Sequence, residues 1–242
     1  DPEFVPALRR YAVDRPATVE GIYTSPSHPE VRERVLAVWM DLLDRYDLDG
    51  IHFDYIRFPS AEFDYSRGAL ERFQVWVQPR LGAARLAELD QAVGRDPFIF
   101  VHDLPTEWAE FRRVQITNLV GDIYREVKDR KPWVIVSAAV VADSEVAYGA
   151  RFQDWHSWLS DGILDIAVPM AYTRDKEQFQ SLVRMGRAAA GSRERVWAGV
   201  GSYMNTTQGT LEQIGLARGE DIGGVILFSY DWATGEGLGD PD

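Results

Sequence analysis

The sequence predicts an α/β protein of the (β/α)8-barrel (TIM-barrel) type, with about six strands present. Three observations lead there. Short apolar or β-branched runs alternate with stretches whose apolar residues recur at helical spacing. The strand-like runs are apolar nearly throughout, as expected of a parallel sheet covered on both faces. The chain has 242 residues, enough for a single large barrel domain.

The strand-like runs are 19–24, 50–57, 133–141, 164–172, 195–203 and 223–230. The first helix is expected over 30–46, where Val31, Val35, Val38, Trp39, Leu42, Leu43 and Tyr46 form one stripe behind Pro29. A second is expected over 106–130, with Thr106 as its N-cap. Weaker helical patterns cover 65–78, 150–160, 175–190 and 207–218. The segment 58–105 is long for a connection, with a helix of its own and a short strand expected at 98–101. Six strands against the eight of a closed barrel imply that residues 5–242 form one domain lacking the first two strands, with residues 1–4 (DPEF) read as vector-derived. A barrel opened in this way is expected to expose edges that can pair with a second copy, a homodimer.

Composition narrows the function. The net charge is -12, which opposes nucleic acid as a partner. No apolar run approaches the roughly 18 residues of a membrane helix. There is no cysteine, so thiolate chemistry and Cys-ligated metals are excluded. The four histidines, at 28, 52, 102 and 156, lack ligand spacing, and no phosphate-binding or dinucleotide-binding glycine motif is present, so neither metal nor cofactor is expected. Eight Trp, ten Tyr and eleven Phe supply faces on which sugar rings can stack.

The most informative stretch is Leu48 to Pro59. Alternation along a strand puts His52 and Asp54 on one face, with Asp54 at the C-terminal end, where barrel enzymes keep their catalytic groups. Function or a merely structural His–Asp pair would both satisfy this pattern. By the same parity Arg57 points the other way and suits a structural ion pair.

The motif DGIHFDYIRFP, with SPSHPEVRERV before it and FRRVQIT after it, resembles glycosyl hydrolase-like family ten, whose usual fourth strand reads DGIHFDDYFYP. The similarity runs from Val19 onward. It implies a barrel enzyme of bacteria that cuts glycosidic bonds within a polysaccharide or cell-wall glycan, exported to the periplasm or beyond. A more distant similarity is to chitinase-like barrels, through Asp49, His52 and Asp54, through Met170-Ala171-Tyr172, and through Gly223 to Asp231. Ile56 stands where chitinases carry their acid, and Tyr55 where family ten usually has a second Asp.

Glycoside hydrolysis generally uses two carboxyls. Asp54 is expected as general acid or nucleophile, with His52 beneath it holding its orientation. For the partner, Asp231 comes first and Asp143 second, while Asp103 and Glu107 are further candidates. Substrate-assisted catalysis would need no second carboxyl. The ordinary reading of Asp143 and Asp231 is a loop carboxylate capping a helix or turn. Tyr172 is expected to meet the substrate or Asp54, unless its hydroxyl bonds backbone in the core. Tyr23 and Tyr203 are expected at the mouth, and Trp232 as a sugar platform or packing residue. The resemblance places Arg113 and Gln115 in supporting roles near the site. The expected partner is thus an oligosaccharide or polysaccharide.

Overall fold

The computed structural model describes residues 23–230. Five strands follow one another in chain order: β1 (Gly50–Phe53), β2 (Ile135–Val140), β3 (Ile166–Pro169), β4 (Trp197–Gly201) and β5 (Gly224–Phe228). All their pairings are parallel. β1, β2 and β3 form one ladder and β4 and β5 another, joined by parallel bridges Ala167–Val196 and Met170–Gly199. The result is an arc of parallel strands with helices between them, compatible with part of a TIM-like barrel. No closed barrel is formed among the described residues. Of the expected first strand, residues 19–22 lie outside the described residues, and Tyr23 and Thr24 belong to no strand.

Nine α-helices accompany these strands among the described residues: α1 (Pro29–Arg45), α2 (Arg67–Val77), α3 (Ala83–Ala92), α4 (Ile99–Asp103), α5 (Pro105–Arg130), α6 (Ser144–Ala150), α7 (Trp155–Ser160), α8 (Lys176–Ala190) and α9 (Thr207–Gly219). Pro29 occupies the first turn of α1, where its missing N–H costs nothing. Three expectations need correction. The run 98–101 is helical, because Phe100 and Val101 bury against other helices rather than a sheet edge. Thr106 does not cap α5; the helix already begins at Pro105, and Leu104 at the cap position offers no side-chain acceptor. The pattern over 150–160 is helical only from Trp155, as α7; α6 ends at Ala150, and Phe152 between them has a φ of 54° that no helix accommodates.

The apolar residues form two cores. The larger lies between the sheet and its helices and includes Leu43, Ile51, Phe53, Ile123, Val136 and Val200. The smaller is built by the long excursion after β1, where Phe73 and Val77 of α2, Leu89 of α3 and Phe100 meet Trp108 and Phe111. Phe73 contacts Trp108 edge-on at 5.0 Å. Helix α5 spans both cores: its first turns carry Trp108 and Phe111, and its later turns carry Ile116, Val120 and Ile123. At 1.5 Å per residue it is about 39 Å long, which lets it tie the excursion to the sheet.

Helix α8 packs closely on the sheet at Gly186. A Cβ there would lie 2.7 Å from Cγ of Pro169 and 3.4 Å from Val196. Both neighbours are held by strands, and the proline ring cannot rotate away. Gly186→Ala gains about 1 kcal/mol of helix propensity but meets overpacking that typically costs 1–3 kcal/mol. We expect a net loss of about 1 kcal/mol in urea unfolding; a gain in stability would show that α8 floats freely on β3.

Candidate active site at the strand ends

β1 alternates in burial. Ile51 and Phe53 are buried among the helices, with Phe53 edge-on to Trp39 of α1 at 5.3 Å. Gly50 and His52 face the other way, away from the helices. Asp54 follows directly and keeps 44% of its side-chain surface open. The sheet therefore turns His52 and Asp54 away from the helices and onto the face that a barrel would enclose.

Asp54 opens into a cavity of about 320 Å³ at the C-terminal ends of the strands. Tyr172, Tyr203 and Phe228 form an aromatic wall there. Tyr172 stacks on Phe228 with centroids 5.7 Å apart, and Tyr203 meets Tyr172 edge-on at 6.0 Å. The wall exists because β4 carries glycine next to Tyr172: a Cβ at Gly201 would sit 3.2 Å from the Tyr172 Cβ. Burial, and then the charge of Asp54, push the Tyr172 hydroxyl up to about 12, so it stays a neutral donor at any physiological pH. Phe228 was not singled out from the sequence, although its strand was; an apolar residue at a strand end carries no chemical signal.

His52 is held from its neighbouring strand. Its Nδ1 lies 2.9 Å from Oγ of Ser137, whose own hydroxyl donates to Ile51 O at 3.1 Å. Ser137 must then accept, so the neutral imidazole donates from Nδ1 and leaves Nε2 as an acceptor. The expected His52 contact that orients Asp54 is replaced by this one. The carboxylate is held instead by its own turn: Tyr55 N donates to Asp54 Oδ1 at 2.7 Å, and Arg57 Nη1 stands 3.8 Å from the same oxygen. Tyr55 has φ 53°, which bends the chain out of the strand and cancels the parity argument for Arg57. Arg57 thus lines the site, with its guanidinium 4.6 Å over the Tyr55 ring.

The turn is fastened from behind by groups that the sequence did not reveal. Gln153, 1% exposed, accepts from Val141 N at 2.9 Å and donates to Ala139 O and Ile56 O at 3.1 and 3.2 Å. It ties the end of β2 to the loop after β1. Arg112, 5% exposed, donates to Ala61 O and Phe63 O at 2.7 and 2.6 Å and stacks on Phe152 at 3.7 Å. Burial brings its guanidinium down to about 10. Its neighbour Arg113, expected near the site, reaches only Tyr148 O at 3.4 Å and covers that ring. Gln115 is buried within α5 and does not line the cavity. An arginine in a helix gives no sign of which of two adjacent turns it serves.

The remaining candidates separate. Asp143 caps α6, accepting from Glu145 N and Val146 N at 3.0 Å each, and does not line the cavity. Asp103 pairs with Arg85 at 2.8 Å, in the excursion. Tyr23 packs edge-on to Tyr55 at 6.3 Å and borders a neighbouring apolar groove of about 510 Å³ that also reaches Asp54. Asp231 and Trp232 lie outside the described residues. Among the described residues, Asp54 is the sole carboxylate lining the aromatic cavity, and no cluster of three His, Asp or Glu could hold a metal ion.

Burial lowers the His52 imidazole from its usual 6.5, against a smaller opposing pull from Asp54, and burial does the same for His156. A depressed folded value means that the unfolded chain binds protons first as pH falls. These histidines therefore leave stability untouched above pH 6.5 and reduce it below, down to their folded values. We expect the His52 ring to titrate by NMR with a midpoint below 6.5, and His52→Gln to lose less stability than wild type across that window. A midpoint above 6.5 would show that Asp54, not burial, governs the ring.

Comparison with known families adds one finding. The family model Glycosyl hydrolase-like 10 matches residues 7–197. That match includes β1, Asp54, Tyr172 and the whole excursion after β1. No curated protein matches the chain.

Proposed function

The chain belongs to the glycosyl hydrolase-like 10 family, and from that premise we infer that it is a glycoside hydrolase cutting within a bacterial polysaccharide or cell-wall glycan. The observation that carries this reading is the position of Asp54: half-open, at a strand end, on a cavity walled by Tyr172, Tyr203 and Phe228. Neutral sugar rings suit that wall, since their C–H faces stack on aromatic rings and their hydroxyls reach Tyr172, Arg57 and Asp54. Asp54 serves as general acid or nucleophile. The second carboxyl of the two-carboxyl mechanisms, about 5–5.5 Å away for retention or 6.5–9.5 Å for inversion, is assigned to Asp231, which follows Phe228 of the cavity wall by three residues. Asp143 is engaged by two amides as a helix cap and ranks below it. A glycan substrate of this kind goes with an exported protein; among the described residues no helix is long and apolar enough to cross a membrane.

One observation favours a second reading, a barrel that holds glycan without cutting it. Ile56 occupies the position of the chitinase acid, and Asp54 has no carboxylate companion among the described cavity residues. Release of reducing ends separates the two. In the hydrolase, Asp54→Asn should lower kcat by about 10²–10⁴-fold, with little change in KM and an unaltered circular dichroism spectrum. Turnover equal to wild type would remove Asp54 from the chemistry. Saccharide binding by the wild type with no reducing ends formed would establish the binding barrel.

A further inference from the structure

A smaller cavity of about 50 Å³ lies behind Arg57, bordered by Tyr23, Ser25, Phe58 and Asp64. Arg57 also borders both the aromatic cavity at Asp54 and the apolar groove, so the three spaces meet at its guanidinium. Two groups on this small cavity are chemically unusual. Nη1 of Arg57 and Oδ2 of Asp64 are buried, and among the described residues neither has a hydrogen-bond partner. They do not join in an ion pair; Arg57 leans toward Asp54 instead, while the other Asp64 oxygen accepts from Ser66 N at 3.0 Å. A buried donor and a buried acceptor left unmade are costly, and the cost disappears when one group satisfies both.

We propose that this cavity receives one neutral hydroxyl or hydroxymethyl group of the sugar bound at Asp54, and that Asp64 is a specificity-determining residue for it. The inference rests on the glycan reading above and narrows it. A hydroxyl accepts from Arg57 Nη1 and donates to Asp64 Oδ2 through the same oxygen. A sugar carboxylate has no proton for Asp64 and is repelled by it, and an ammonium has no lone pair for Arg57. A methyl group leaves both polar atoms unpaired. The volume agrees: about 50 Å³ accommodates a group of this size. The preferred sugar unit is therefore neutral and hydroxylated at the position that enters, which excludes uronic acids there.

Calorimetry on Asp54→Asn, which preserves the site while stopping turnover, tests this with tetrasaccharides of glucose and of N-acetylglucosamine and their singly deoxygenated analogues. One deoxy position should weaken binding of the recognised saccharide by about 10- to 100-fold, the range for a hydrogen bond to a charged group. Adding Asp64→Asn, which keeps the acceptor for Ser66 N, should weaken the hydroxylated saccharide to a similar degree and reduce the penalty for that deoxy analogue to about twofold or less. Equal deoxy penalties with and without Asp64→Asn, at unchanged melting temperature, would overturn the proposal. Binding without cleavage by wild type would remove the hydrolase reading and leave this cycle fully readable. Absence of binding by every saccharide would overturn both.

Discussion

The structure depends on one constraint: the two-residue alternation of β1. Ile51 and Phe53 are committed to the helices, where Phe53 meets Trp39, so His52 and Asp54 must face the opposite side. A one-residue slip of this strand against β2 would exchange the two faces and bury a carboxylate among leucines and valines, at a cost no side-chain rearrangement could offset. The register of Gly50 with Ile135 and of His52 with Ser137 is thus fixed by the core, and the position of Asp54 follows from it.

Beyond Phe53 the strand rule ends and other forces place the site. The left-handed Tyr55 turns the chain, Arg57 folds back on Asp54, and the loop that follows buries Phe58 in the larger core but belongs to no strand. Its backbone carbonyls are instead bound by Gln153 and Arg112, both buried and both anchored in separate helical segments or their approaches. A site held by polar groups in this way is stiff only while every partner is present, because each group left unpaired in a dry interior costs more than its bond contributes. The small helical core around Phe73 and Trp108 completes the support by fixing the far end of the excursion on α5.

Chemically the two sides of Arg57 differ. Toward the aromatic cavity it faces an accessible carboxylate and three rings; on its other side it shares a small cavity with Asp64. A single guanidinium therefore borders both spaces and the carboxylate at the strand end. Arg112 and Gln153, rather than the expected Arg113 and Gln115, hold the loop after β1.

Read alone, the residues determined the alternation of parallel strands and helices, the face shared by His52 and Asp54, and the aromatic strand ends at Tyr172 and Tyr203, because all three follow from short-range periodicity and residue type. They also carried the family motif around Asp54. Tertiary structure decided that 98–101 is not a strand, that Arg57 turns back toward Asp54, and that Asp64, Gln153 and Phe228 matter. The long-range contacts depend on what a residue meets across tens of positions of chain: Gln153 on Ile56, Arg112 on Ala61, Phe228 on Tyr172. Such pairings are settled by the packing of the whole fold, and no local pattern encodes them.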